Sequence, residues 1–210
     1  SRVEILLRDL NHRVGNNLSM VSAVLGMQAS RTDDEHARAA LSAARERVFL
    51  IGSAQRRLRL GEDLQSVRAD DLFSRVVDDI LEALPSDARI EARCDFEETP
   101  LESRDAVALA VVLGELMTNS LKHAFNGREE GVIWADFRRN KDGVFVLTVS
   151  DDGAGIGERA SQSGIGSLVI NEMSRQFGGQ VTRAARPGGG ALVAVTLPGL
   201  TIYSDGSEKG

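Results

Sequence analysis

The sequence predicts an α+β protein in which a helical hairpin, forming a dimeric four-helix bundle, precedes an α/β sandwich. Apolar residues recur at spacings of three and four through the first 60 residues, which indicates amphipathic helices. From Asp70 onward, helical patterns are mixed with short apolar strands, which is typical of helices on one face of a mostly antiparallel sheet. We therefore expect a hairpin at 1–62, a polar linker at 63–69, a sandwich domain at 70–200 and a flexible tail at 201–210.

The hairpin is predicted from two apolar stripes. The first comprises Val3, Leu6, Leu7, Leu10, Val14, Leu18, Val21, Val24 and Leu25, and the second comprises Ala37, Leu41, Ala44, Val48, Ile51 and Leu58. Between them, Thr32, Asp33 and Asp34 supply N-cap side chains for the second helix, and the short joint makes the helices antiparallel. Two helices alone bury too little apolar surface to be stable, which favours a homodimeric bundle. The alternative is that the hairpin packs on the rest of its own chain.

The sandwich elements follow from the apolar spacing and from turn residues. A helix over Leu72–Leu84 ends before Pro85, and a longer helix spans Arg104–Ala124. A third helix begins near Ile165 and ends at Gly178 and Gly179. The predicted strands are Arg89–Phe96, Val132–Arg138, Val144–Ser150, Gln180–Ala185 and Ala191–Leu197. Asn140–Gly143 and Pro187–Gly190 read as hairpin turns.

The composition narrows the classes of function. The 210 residues carry a formal net charge of −6, so no basic surface favours nucleic-acid binding. No run approaches the roughly 18 apolar residues of a membrane span, so we expect no membrane segment and a cytoplasmic location. Cys94 is the only cysteine, which excludes an internal disulfide, and we expect it to be a small core residue. The chain starts inside a helical pattern at Val3, so we expect an upstream region outside this chain that could tether it.

An Asp-x-Gly-x-Gly segment follows the strand that ends at Ser150. Asp151 can accept a hydrogen bond from an exocyclic amine, which would select adenine over guanine. Gly153 and Gly155 allow the backbone to approach a base closely. Taken alone, this segment is equally typical of a turn.

Polar residues on the long helix complete a candidate purine-nucleotide pocket. Glu115, Asn119, Lys122 and His123 recur at spacings of three and four, so they share one face of the helix. An amide oxygen and a carboxylate one turn apart can hold Mg²⁺, and Lys122 can neutralise phosphate charge. Gly164 and Gly166 open the third helix and would present N–H groups to a phosphate. The alternative is a solvated charged face, which the ordered glycine segments disfavour.

His12 lies on the side of the first helix that is opposite to the apolar stripe. At about 100° per residue it shares its face with Asp9, Asn16 and Ser19, so an imidazole nitrogen could act there as a nucleophile. An exposed histidine on a helix is more often an ordinary surface residue, which is the interpretation we give to His36.

Four segments, in this order, resemble the motifs of two-component sensor histidine kinases, in the HisKA_2 subgroup related to the HWE kinases. Residues 10–18 (Leu-Asn-His-Arg-Val-Gly-Asn-Asn-Leu) resemble the phosphoacceptor box, and residues 115–123 resemble the N box. Asp151–Gly157 and Gly164–Gly166 resemble the two glycine boxes. The resemblance implies a dimeric hairpin that carries the phosphoacceptor histidine, followed by a Bergerat (GHKL-type) ATP-binding domain.

The resemblance also implies a role for each candidate residue. His12 would be phosphorylated from ATP, Asn119 would bind Mg²⁺, and Glu115 would assist the metal or its waters. Lys122 and His123 would lie by the phosphates, and Asp151 would bind the adenine amine. The glycines would shape the pocket and its lid: Gly153, Gly155, Gly164 and Gly166.

The partners also follow from the resemblance. The phosphoryl group would pass from His12 to an aspartate of a response-regulator receiver domain, and Asn16 could orient a water for the reverse dephosphorylation. A sensor domain would precede this chain.

Two departures from the family pattern bear on the chemistry. Gly15 stands where the subgroup usually has lysine, and Arg13 stands where the largest kinase class has an acidic residue, so the acceptor of the His12 proton stays open. The Trp-x-Glu form of the first glycine box is not matched, and we expect Trp134 to be a strand core residue.

Two other functions remain open from the sequence. One is a histidine phosphotransferase that relays phosphate between receiver domains without using ATP, although its nucleotide motifs would be expected to have decayed. The other is a protein-binding module or serine kinase of the same ATPase superfamily, such as an anti-sigma factor, which the His12 hairpin disfavours.

Overall fold

The computed structural model describes residues 17–18, 20–58, 66–83, 88–155 and 165–203. The chain divides into two compact units, Ser1–Gln65 and Ser66–Gly210. His12, Asn16 and Gly164, which the sequence singles out, lie outside the described residues. None of the helices in the described ranges is both long enough and apolar enough to cross a membrane.

The first unit contains two helices in the residues that the structure describes. Helix α1 is described at 17–18 and 20–31, and α2 spans Glu35–Leu58. The Asp34 carboxylate accepts hydrogen bonds from the backbone N–H groups of His36 (2.9 Å) and Ala37 (3.3 Å), which confirms the predicted N-cap. In the described part of this unit the buried hydrophobic residues are Ala29 and Leu50. A larger apolar group stays exposed: Met20, Val21, Val24, Met27 and Phe49.

The second unit contains three helices and seven strands in the part that the structure describes. The helices are α3 (Ala69–Ala83), α4 (Ser103–His123) and α5 (Ile165–Gln176). The strands are β1 (Ser66–Arg68), β2 (Arg89–Phe96), β3 (Pro100–Glu102), β4 (Glu130–Arg139), β5 (Phe145–Asp151), β6 (Val181–Ala185) and β7 (Ala191–Leu197). These bounds confirm the predicted helices and long strands to within a few residues.

The strands form two sheets. A five-stranded sheet has the order β2-β4-β5-β7-β6, in which β2 and β4 are parallel and all other neighbours are antiparallel. The hairpin turn before β5 is stabilised as the sequence predicts, because the Asn140 side chain accepts hydrogen bonds from the N–H groups of Asp142 and Val144 and Gly143 has a φ of 77°. The small sheet pairs β1 with β3.

The core lies between one face of the large sheet and the helices. Alternate residues of β4 are buried (Gly131, Ile133, Ala135 and Phe137), and α4 is buried over most of its length. Phe137 stacks on Phe145 with ring centroids 4.8 Å apart and meets Phe73 of α3 edge to face at 5.2 Å. These aromatic contacts pack α3 on the sheet, and α4 contacts both α3 and β5, the strand that ends at the candidate site.

Three details differ from the sequence expectations. Ser66–Arg68 lies in the segment expected to be a polar linker but forms strand β1, which is too short to leave a periodic signal. Cys94 is exposed rather than in the core because β2 is the edge strand of the large sheet. Trp134 does lie on a strand, but it is half-buried on the face opposite to the helices.

Candidate nucleotide-binding site

Asp151 is the last residue of β5 and is 1% exposed. Its Oδ2 accepts a hydrogen bond from the Ser120 hydroxyl of α4 at 2.9 Å. Its Oδ1 accepts from the backbone N–H groups of Gly153 (3.1 Å) and Ala191 (3.3 Å). These three donors come from α4, from the loop after β5 and from the start of β7, so the carboxylate is fixed where three segments meet.

The loop that follows β5 packs directly on the end of α4. The Ala154 N–H donates to the Ala124 carbonyl at 3.0 Å. A Cβ at Gly153 would lie 2.3 Å from that same carbonyl oxygen, so only glycine fits there. Gly155 has a φ of 85°, a left-handed conformation that also favours glycine. Gly153, which was predicted to allow close approach to a base, therefore brings this loop onto α4.

Asp152 anchors the same loop on its other side. Its Oδ1 accepts from the Val132 N–H at 2.9 Å, and its own N–H donates to the Val132 carbonyl at 3.2 Å. Arg128 donates to the Asp152 carbonyl, and its guanidinium lies 3.8 Å from the Asp152 carboxylate. Arg128 was not predicted as a site residue, because nothing in its local sequence pattern links it to a loop 24 residues away.

The turn between β6 and β7 forms a further wall beside Asp151. A Cβ at Gly190 would lie 1.8 Å from the Asp151 carbonyl oxygen, and Gly190 has a φ of 93°. The Arg186 N–H donates to the Gly190 carbonyl, and the Gly189 N–H donates to the Arg186 carbonyl. This turn was predicted as a hairpin turn, but its contact with Asp151 was not.

The polar residues predicted on α4 lie in its C-terminal half. Glu115 is buried, Asn119 and His123 are half-buried, and Lys122 is exposed. The Ser120 hydroxyl donates to the Asp151 carboxylate, and Asn119 directly precedes Ser120 in α4. Asn119 therefore lies in the turn of the helix that contacts Asp151. Of the predicted glycines at the start of α5, Gly166 lies in the first turn of that helix.

The described residues contain no group of three or more His, Cys, Asp or Glu side chains arranged to hold a metal ion. A Mg²⁺ ion on Asn119 would therefore need oxygen ligands from a substrate phosphate and water. That arrangement suits Mg²⁺, which is commonly bound by one or two protein oxygens together with phosphates.

Two family models match most of this chain. Residues 104–201 match the family model of histidine kinase-, DNA gyrase B- and HSP90-like ATPases, and residues 9–84 match a histidine kinase model. The chain belongs to the histidine kinase family.

Curated relatives agree with this family. The sensor histidine kinase PdtaS of Mycobacterium tuberculosis is 30% identical over 205 residues, which cover 97% of this chain and 37% of the relative. PdtaS of Mycolicibacterium smegmatis is 29% identical over 198 residues, covering 91% of this chain and 39% of the relative. The chain therefore spans less than two fifths of the length of these relatives.

A solved structure shares the fold. The blue-light activated histidine kinase EL346 of Erythrobacter litoralis superimposes with a TM-score of 0.68 at 20% identity, covering 94% of this chain and 60% of that one. Its histidine kinase domain alone gives a TM-score of 0.66, with 90% of this chain and 94% of that domain covered. At this identity the likeness is one of fold.

Proposed function

We propose that this chain is the catalytic core of a sensor histidine kinase, which phosphorylates His12 from ATP and passes the phosphoryl group to an aspartate of a response regulator. The proposed binding of ATP rests on the Asp151 carboxylate, which is buried and oriented by Ser120, Gly153 and Ala191. A carboxylate fixed in this way can recognise the exocyclic amine of adenine by accepting a hydrogen bond from its N–H group.

The surroundings of the Asp151 carboxylate also suit an adenine-binding site. A carboxylate oxygen can accept more than one hydrogen bond, which is compatible with an adenine amine that donates to Asp151 beside the donors of this chain. Gly153 brings the following loop onto α4, and Gly190 brings the β6–β7 turn onto Asp151. These close approaches build a narrow, preorganised wall around one acceptor, which is how a site discriminates among bases.

The phosphate end of the site is assigned to the C-terminal half of α4. Asn119 would bind Mg²⁺, which neutralises charge on the phosphates when it is bound, and Glu115 would orient its waters. Lys122 and His123 would lie by the phosphates, and Lys122 is exposed at the end of the helix as such a role requires. Gly164 and Gly166 would supply backbone N–H groups at the start of α5.

The chemical step moves one phosphoryl group. A nitrogen of the His12 imidazole attacks the γ-phosphorus, the bond between that phosphorus and the β,γ-bridging oxygen breaks, and ADP leaves with the electron pair. The imidazole proton passes to a base or to solvent. In the second step a carboxylate oxygen of a receiver aspartate attacks the phosphorus, the bond between that phosphorus and the His12 nitrogen breaks, and the imidazole leaves with the electron pair. Asn16 would orient the water that later hydrolyses the aspartyl phosphate. Catalysis rests mainly on positioning, because the protein forms no other bond.

The exposed stripe on the hairpin unit supports a homodimer. Met20, Val24 and Met27 are spaced four and three residues apart, so they lie on one face of α1, and Met20 is 64% exposed and Met27 52%. Phe49 of α2 is also exposed. A hairpin that leaves this much apolar surface in water is stabilised by burying it against a second copy in a four-helix bundle.

The test is incubation of the full chain with Mg²⁺ and ATP labelled at the γ-phosphate. The chain has three histidines, so single alanine substitutions of His12, His36 and His123 assign the phosphorylated residue. We expect an acid-labile, base-stable label that His12→Ala abolishes and His36→Ala retains. The second variant is the matched control, because His36 is the other histidine of the hairpin unit.

Other outcomes would support the alternatives. An acid-stable label would indicate a serine kinase of the same ATPase superfamily. An unlabelled chain that gains phosphate only from a phosphorylated receiver domain would indicate a phosphotransferase. Asn16→Ala should slow the dephosphorylation of the regulator and leave kinase activity unchanged, and equal effects on both would rule out its proposed role.

A further inference from the structure

A cation–aromatic stack lies on the open face of the large sheet, behind the candidate nucleotide site. The guanidinium carbon of Arg186 lies 3.6 Å from the centroid of the Trp134 ring, and both residues are half-buried. Arg93 of β2 approaches the same ring less closely, at 5.9 Å. Neither contact belongs to the sequence motifs that define the site.

The Arg186 contact crosses two strands. Trp134 lies on β4 and Arg186 follows β6, and in the sheet β5 and β7 lie between those strands. In the register, Trp134 pairs with Ser150, which in turn pairs with Leu192. The stack therefore spans the sheet at the level of Ser150, one residue before Asp151.

The stack is linked to Asp151 through the turn that Arg186 opens. Arg186 donates its N–H to the Gly190 carbonyl, which closes the turn. Gly190 packs against the Asp151 backbone, and the next residue, Ala191, donates its N–H to the Asp151 carboxylate at 3.3 Å. The stacked side chain, the hydrogen bond that closes the turn and the N–H donor to Asp151 therefore all belong to the segment 186–191.

We propose that the stacking of Arg186 on Trp134 holds the β6–β7 turn against Asp151, so that Arg186 is a positioning residue for adenine recognition. The turn needs such a tether, because Gly188, Gly189 and Gly190 all have positive φ and a run of glycines has a large conformational entropy. A cation held over an indole face supplies an attraction that a flexible turn otherwise lacks. This inference rests on the proposed function of Asp151 in binding adenine.

The experiment measures the affinities of the full chain for ADP and IDP, with Mg²⁺, by calorimetry. The two nucleotides differ at position 6 of the base. ADP carries an amine there, which would donate a hydrogen bond to Asp151, and IDP carries an oxygen. A displaced turn should weaken ADP binding selectively, whereas partial unfolding should weaken both nucleotides equally. The ratio of the ADP and IDP dissociation constants should therefore change only if Arg186 positions the turn for adenine recognition. A general loss of stability would leave this ratio unchanged.

We expect Arg186→Ala to weaken ADP binding by about three- to tenfold and to leave IDP binding within about twofold of the unsubstituted chain. Arg93→Ala is the matched control, because it removes a cation from the same ring without touching the turn. We expect it to change neither affinity by more than about twofold. Arg186→Lys retains the charge without the planar stack and should fall between the two.

A double-mutant cycle separates the stack from independent effects of each side chain. If the contact carries the effect, Trp134→Leu weakens ADP binding like Arg186→Ala, and the double variant binds no more weakly than either single variant. Additive losses would overturn the proposal, as would equal losses for ADP and IDP or wild-type affinity in Arg186→Ala. If the unsubstituted chain binds no ADP, the proposed nucleotide site itself is wrong, and this inference falls with it.

Discussion

The hydrogen bond between Ser120 and Asp151 permits a quantitative test of the site. Both residues are buried, and the hydroxyl lies 2.9 Å from the carboxylate. A hydrogen bond to a charged group contributes about 1.5–3 kcal/mol, and alanine regains about 0.5 kcal/mol of helix propensity over serine in α4. We therefore expect Ser120→Ala to lower the free energy of unfolding of the second unit by about 1–2.5 kcal/mol, a fall in Tm of about 2–10 °C.

The structure provides a matched control for this change. Ser174 of α5 is also buried, but within the described residues its hydroxyl has no hydrogen-bond partner. Ser174→Ala removes a hydroxyl that is already unsatisfied and adds the same helix propensity, so it should raise stability by about 0.5–1 kcal/mol.

The assay is urea unfolding followed by tryptophan fluorescence. Trp134 is the only tryptophan in the sequence and lies in the second unit, so its emission reports the unfolding of that unit. Equal effects of the two serine substitutions would refute the reasoning, because they would mean that the Asp151 contact contributes no more than an unpartnered hydroxyl.

Four other changes have directions that the structure predicts. Gly153→Ala would place its Cβ 2.3 Å from the Ala124 carbonyl oxygen and should weaken ATP binding by at least about tenfold in calorimetry. Gly127→Ala, whose Cβ would meet no atom within 4 Å but whose φ of 74° disfavours a side chain, should lower the free energy of unfolding and leave the affinity for ATP within about twofold. Burial raises the pKa of the half-buried Asp136 carboxyl, so its ionised form opposes folding as pH rises through that pKa. Asp136→Asn should therefore stabilise the chain at pH 7 and have little effect at low pH, and a change independent of pH in thermal unfolding would contradict this. Cys94 is exposed, but partial desolvation raises the pKa of its thiol to about 11, so its modification by a thiol reagent should be slow at pH 8 and should speed up toward pH 11. Met27→Glu should convert dimers to monomers in sedimentation, and an unchanged mass would argue against a bundle formed through α1.

Much of the fold could be predicted because its elements are long and regular. Arg89–Phe96 forms a strand with the predicted bounds, and the turn at Asn140–Gly143 uses the expected side-chain hydrogen bonds. The small sheet could not be predicted, because Ser66–Arg68 and Pro100–Glu102 are three-residue strands, too short to show a periodic pattern.

The face that Trp134 occupies could not be predicted either. Val132 and Trp134 lie on one face of β4 and Ile133 and Phe137 on the other, and all four are apolar, so the alternation does not reveal which face the helices cover. Because Trp134 was expected in the core, its contact with Arg186 was not predicted.

The candidate site was predictable only in its local parts. The glycines after β5 and the polar face of α4 are visible as sequence spacing. By contrast, Ser120, Arg128 and Ala191 reach the site across sequence separations of 24 to 40 residues. Such contacts depend on how α4 and the β6–β7 turn pack on the sheet, and a single sequence carries no signal for them. His12 and Asn16 stay predictions from the sequence.

The measurement that tests the central claim most directly is the acid-labile label obtained from γ-labelled ATP in the unsubstituted chain and in Asp151→Asn. The asparagine keeps the size of the side chain but turns an amide donor toward the hydrogen-bond donors that face the carboxylate, such as Ser120 and Gly153, so adenine recognition should fail. Asp142→Asn, in the exposed turn before β5, is the control. We predict strong labelling of the unsubstituted chain and of Asp142→Asn, and almost none of Asp151→Asn. Full labelling of Asp151→Asn would contradict the account, because the buried carboxylate would then not be what binds ATP.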